Sequence, residues 1–121
     1  MTDQSPTAPV PEQEGVQVRD NPSESRFDVF VDGDHAGFSV YRDVEGITGD
    51  AQRIFHHTVV FDEFGGRGLA GALTREALAG SIAAGRRIVA VCPYVTKWLS
   101  THHEFDASLD PVTPRHLEAL G

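Results

Sequence analysis

Thr58-Val59-Val60-Phe61-Asp62-Glu63-Phe64-Gly65-Gly66-Arg67-Gly68-Leu69-Ala70 is the stretch on which the fold turns. An apolar β-branched run stops at an acid pair, glycines follow, and a helix-forming run begins at about Gly68. Glycines let a backbone turn sharply without Cβ clashes, so the segment reads as strand, tight turn, helix. Successive N–H groups of such a turn point into one concavity at a helix N-terminus, where the helix dipole adds positive charge. That is a phosphate or pyrophosphate cradle, and Arg67 stands ready to add a charge-assisted contact. Gly66-Arg67-Gly68-Leu69-Ala70-Gly71 also fits the short dinucleotide pattern G-x-G-x-x-G, but the next strand ends in Cys92-Pro93 without the required acid. The P-loop's Gly-Lys-Ser/Thr is missing. A glycine-rich turn with no ligand is the bland alternative.

Upstream, Phe27, Val29 and Val31 alternate with Asp28 and Phe30, a strand period of two. Asp32-Gly33 predicts a two-residue hairpin turn, with a return strand from about His35 to Tyr41. Residues 42–50 read as a loop. A third strand covers about Arg53–Phe61, with Phe55, His57, Val59 and Phe61 on one face and Ile54, His56, Thr58 and Val60 on the other. Both faces carry apolar residues, which places this strand centrally. Downstream, Leu69, Leu73 and Ala77, extended by Leu78 and Ile82, mark a helical stripe that Gly85 ends. Ile88–Cys92 is a buried strand, Pro93 opens a second helix carrying Val95, Trp98 and Leu99, and a short helix follows Pro114 through Leu117 and Leu120. The expected fold class is α+β, a mixed sandwich of antiparallel strands, then a βαβ element and a C-terminal helix.

The chain has 121 residues and a formal charge of −8. That length is one domain. The acidity argues against nucleic-acid coating and against a polybasic membrane binder. Residues 1–24 hold four of the seven prolines and read as a disordered tail, leaving an ordered domain at 25–121. Cys92 is the only cysteine, so an intramolecular disulfide is excluded. The six histidines show neither His-x-x-x-His nor Cys-x-x-Cys spacing, and no metal site is expected. The N-terminus lacks the basic and apolar regions of a secretory signal, so the expected location is cytoplasmic.

The turn resembles motif A of the GNAT acetyltransferases, Arg/Gln-x-x-Gly-x-Gly/Ala, in which backbone amides hold the pyrophosphate of acetyl-CoA. Gly68-Leu69-Ala70 matches its second half; Gly65 stands where Arg or Gln is usual. The resemblance extends to the small single-domain YjdJ-like branch. Its pieces are His57-Thr58, the turn and helix from Gly65 to Leu73, Cys92-Pro93-Tyr94-Val95, and His102-His103-Glu104-Phe105, with His103 in place of the usual Pro. They occur in order across residues 27–105. The branch lacks the helices that larger members insert after the first strand, in keeping with three strands in direct succession.

The resemblance implies a minimal GNAT fold, acetyl-CoA as acyl donor, and transfer to an amine by direct attack in a ternary complex. Gly65, Gly66, Arg67, Gly68, Leu69 and Ala70 would hold the pyrophosphate. The strand end at Val59, Val60 and Phe61 would offer backbone groups to the pantetheine amides. Cys92 is either a small apolar core residue or a thiol beside the thioester, acting as proton donor to departing CoA or as acyl acceptor. His57 is either a hydrogen-bonded sheet histidine or the general base for the amine. Tyr94 is either a packed aromatic or a donor to the leaving thiolate. The expected partners are a small-molecule or peptide amine, no nucleic acid and no membrane, for a monomer or weak homodimer. The rival readings are a CoA or acyl-CoA-binding regulatory module with little catalysis, and a phosphate-binding structural domain.

Overall fold

The computed structural model describes residues 15–45 and 49–121. Six strands form one sheet: β1 (Val16–Asn21), β2 (Arg26–Val31), β3 (Asp34–Val44), β4 (Gln52–Val60), β5 (Arg87–Ala90) and β6 (Leu109–Asp110). Their order in the sheet is their order in the chain. β1 to β4 are antiparallel, and β5 runs parallel to β4, as β6 does to β5. Three helices complete the chain: α1 (Leu69–Ala83), α2 (Pro93–Leu99) and α3 (Pro114–Ala119). The fold class is the α+β arrangement expected. Among the described residues no helix is long and apolar enough to cross a membrane.

Asp32 and Gly33 both have left-handed φ, 48° and 89°, the pairing of a primed turn whose twist matches its strands. One face of the sheet buries Phe27, Val29, Val31, Ala36, Tyr41, Phe55 and Ile88 beneath Leu69, Leu73, Ala77 and Leu78 of α1; Val95, Trp98 and Leu99 of α2 join the same core. The other face is met by α3. There His116, fully buried, bonds Gln52 Oε1 at 2.8 Å and accepts the Thr113 backbone N–H at 2.9 Å on Nδ1. Gln52 Nε2 donates to Asp110 at 2.7 Å, so β4, β6 and α3 are tied together. The expected apolar face of this helix is corrected: His116 is its buried residue and Leu117 is 52% exposed.

The expected tail is corrected as well. A strand lies within the expected tail, because Val16 and Val18 of β1 pack on the core while Gln17 and Arg19 face solvent, the pattern of an edge strand with one dry face. β1 pairs with all six residues of β2, from Val16 opposite Val31 to Asn21 opposite Arg26. Tyr41 Oη donates to Asp20 at 2.6 Å, and burial together with this bond keeps the phenol protonated. Beside it, the Arg53 guanidinium lies 3.9 Å from the Tyr41 ring centroid and makes two bonds to Asp43, at 2.7 and 3.0 Å. The rest of the expected tail, residues 1–14, lies outside the described residues. β3 also runs to Val44, into the expected loop, because Arg42, Asp43 and Val44 pair with Ile54, Arg53 and Gln52; residues 46–48 of that loop lie outside the described residues.

Candidate functional site

The site is built by a change of phase in β4. Phe55 pairs with Tyr41, but His57 pairs with Val40, so His56 is an extra residue, a β-bulge. A bulge moves every later side chain to the other face. Phe55 therefore lies in the core under α1, while Thr58 and Val60 share that face and His57 points away, its ring 6.4 Å from that of Phe38. The expected grouping of Phe55 with His57, Val59 and Phe61 is overturned by this one residue. So is the meeting of His57 with Cys92: the two lie on opposite faces.

The bulge also turns the backbone. Phe61 N–H donates to Ala36 O at 2.9 Å, and the Val59 carbonyl lies so close to Gly37 that a Cβ there would sit 2.3 Å from its oxygen. Both groups serve β3. By alternation, the backbone groups of Thr58 and Val60 point to the opposite edge. That edge is open. β4 and β5 pair only from Gln52–Arg87 to Phe55–Ala90, and the Phe55 carbonyl then accepts both Val91 N–H and Cys92 N–H, each at 2.9 Å. Past this fork the strands part, and residues 56–60 have no strand beside them on that side among the described residues. Of the three expected strand-end contacts, Val60 faces the opening and Val59 and Phe61 do not.

At the end of the opening the turn arrives. Gly66 and Gly68 have φ of 76° and 72°, and nothing lies within 4 Å of where a Cβ would stand at either. Gly68 is the N-cap of α1; no side chain caps the helix and its first turn holds no acid. Its leading N–H groups therefore lack the usual internal partners. Arg67 is exposed and makes no hydrogen bond or ion pair among the described residues. Glycines with open space beside them, free amides and an unpaired guanidinium suit an anion, so the residues fit the pyrophosphate expected here.

Cys92 is the N-cap of α2 and is 3% exposed. Its Sγ lies 3.5 Å from Thr58 Oγ1, which is 3.1 Å from Ser39 Oγ. Tyr94 reaches toward α1: a Cβ on Gly71 would lie 3.7 Å from its hydroxyl and 3.6 Å from Trp98 Nε1. Burial raises the Tyr94 pKa, so the hydroxyl keeps its proton as a donor. The structure thus joins Cys92 to Thr58, sets Tyr94 beside Gly71 in the first turn of α1, packs Val60 on the same core, and leaves His57 on the other face. Thr58 and Ser39 went unread as site residues. Thr58 stood in the quoted His-Thr pair, but its face depends on a bulge that a strand period of two cannot reveal.

Residues 26–109 match the profile of the GCN5-related N-acetyl-transferase family. The chain belongs to that family. Among solved structures it is similar to a GCN5-like protein from Staphylococcus aureus, with 18% identity, 84% of this chain and 95% of that one covered, and a TM-score of 0.58. It is also similar to an integron cassette protein of V. cholerae, with 15% identity, 88% and 66% of the two chains covered, and a TM-score of 0.51. A ribosomal-protein-alanine N-acetyltransferase from Brucella melitensis biovar Abortus 2308 aligns at 22% identity and a TM-score of 0.50; 55% of this chain covers 46% of that enzyme, about half its length. At these identities the likeness is one of fold. A comparison with curated proteins gives no match.

Proposed function

We propose that the protein moves an acetyl group from acetyl-CoA to an amine by direct attack in a ternary complex. One observation supports this reading: the open edge of β4 begins at the Phe55 carbonyl that Cys92 N–H meets and runs on in the chain to a glycine turn with an uncapped helix N-terminus. A nucleotide thioester has the matching shape, with a pyrophosphate, a chain of amides and a reactive carbonyl. The turn amides and Arg67 bind the pyrophosphate. The outward backbone groups of Thr58 and Val60 pair with the pantetheine amides as a strand would. The thioester supplies the activated acetyl group. Cys92 and Tyr94 are the proton donors placed for the departing sulfur.

The second reading is a CoA-binding module with little catalysis. It is favoured by the placement of His57, the expected base, on the face away from Cys92. Release of free CoA thiol, followed over a library of small amines and peptides, separates the two. Turnover with any amine above the rate of hydrolysis supports transfer. Tight CoA binding with no turnover across the library supports the module.

A further inference from the structure

We propose that Thr58 and Ser39 are positioning residues for Cys92, a hydroxyl pair that reverses its hydrogen-bond direction when the thiol gives up its proton. This rests on the reading of Cys92 as proton donor in acetyl transfer. The geometry is a short chain: Cys92 Sγ to Thr58 Oγ1 at 3.5 Å, then Thr58 Oγ1 to Ser39 Oγ at 3.1 Å. Cys92 and Ser39 are 3% and 1% exposed, and Thr58 between them is partly buried. A hydroxyl has one proton and two accepting lone pairs. With the thiol protonated, Cys92 donates to Thr58, and Thr58 donates to Ser39. With the thiol ionised, Thr58 turns its proton to sulfur and accepts from Ser39. Only hydroxyl rotors move.

The two states are unequal in strength. A thiol is a weak donor, whereas an O–H bond to a thiolate is charge-assisted. The hydrogen bond from Thr58 is therefore the stronger of the two, and it forms only when the sulfur carries charge. The bulge at His56 is what sends the Thr58 side chain to this face. In the transfer step the amine nitrogen bonds the acetyl carbon as the bond from that carbon to the CoA sulfur breaks. The Cys92 S–H proton passes to the CoA sulfur, and the proton shed by the nitrogen restores the Cys92 thiol. The pair holds the sulfur through the interval in which it is charged.

The test is a pH titration of ultraviolet thiolate absorbance in the full chain, referenced to Cys92→Ala. Thr58→Val should raise the midpoint by about one pH unit. Thr58→Ser should return it to near wild type, and Ser39→Ala should raise it by less. Should Thr58→Val misfold, Ser39→Ala alone decides the matter by the same midpoint. An unchanged or lowered midpoint in the folded variants overturns the proposal. With an amine substrate in hand, Thr58→Val should lower kcat about tenfold with KM for acetyl-CoA nearly unchanged, and should add nothing to Cys92→Ala. Full turnover by Cys92→Ala overturns the role in transfer. Failure of the underlying reading shows separately, as a wild-type chain that releases no CoA thiol with any amine of the library while the thiolate midpoints still shift as stated.

Discussion

Gly68 carries the phosphate reading at its most exposed point. Its φ of 72° is one that L side chains adopt only under strain, on the order of 1–2 kcal/mol. Gly68→Ala should lower stability by about that much, with a larger loss of CoA affinity, because relaxing the strain turns the leading amides of α1 off the ligand. Thermal melting with and without CoA measures both; a variant that CoA protects as well as wild type rules the turn out as the phosphate site. Arg67→Glu should weaken CoA binding by roughly tenfold at low salt, and the difference should shrink as salt screens the charge. His56 offers a pH signature. Burial first, then the charges of Arg42 and His57, lower its pKa in the folded chain. The unfolded chain therefore binds the proton more readily, and stability is lost as pH falls below about 6.5. Denaturant midpoints should drop between neutral pH and pH of about 5, and His56→Gln should lessen the drop; an equal drop in both forms assigns the loss to other groups.

At the scale of elements, β1 is the feature that local reading missed. Its sequence, Val16-Gln17-Val18-Arg19-Asp20-Asn21, alternates as a strand should, but it is short and follows a proline-rich leader whose composition dominates the average. What makes it a strand is the waiting edge of β2 and the bond from Tyr41 to Asp20, both tertiary. Removing residues 1–24 should therefore cost on the order of 3 kcal/mol, as Val16 and Val18 are lost and Tyr41 loses its acceptor. A truncated chain with the wild-type denaturant midpoint would show β1 to be dispensable. The hairpin and the strand–turn–α1 unit were legible because their signals are local: Asp32-Gly33 and the glycine run act through φ at those residues. The bulge at His56 was not, since one strand cannot state the register its partner imposes. For that reason the strand–turn–helix order around the glycines was legible and the phase of β4 was not. The two-residue β6 carries too little pattern to be seen without β5 beside it.

Taken whole, the molecule joins its halves at the β4–β5 fork and fastens its end through α3. The chain from Thr113 through His116 and Gln52 to Asp110 is buried at His116 and Gln52, and His116→Ala should lower stability by about 2–4 kcal/mol while leaving CoA affinity close to wild type. Chemical denaturation and a CoA titration check the two halves of that statement. A matching fall in CoA affinity would mean that α3 also shapes the cleft.

The order of the strands in the sheet has a consequence for how the chain reaches its structure. Every strand is hydrogen-bonded to the strand before it in sequence, so each has its template already in place when it is synthesised. Two steps must wait for a crossover: β4 to β5 for α1, and β5 to β6 for α2 and the segment after it. Contacts of short sequence separation close with little loss of chain entropy, which favours fast folding. The four antiparallel strands can assemble on the ribosome before α1 has emerged, and the cleft opens last, when Val91 and Cys92 reach the carbonyl of Phe55. Assembly in this order proceeds from the N-terminal edge inward, and Cys92 is set in place only after the strands it packs against.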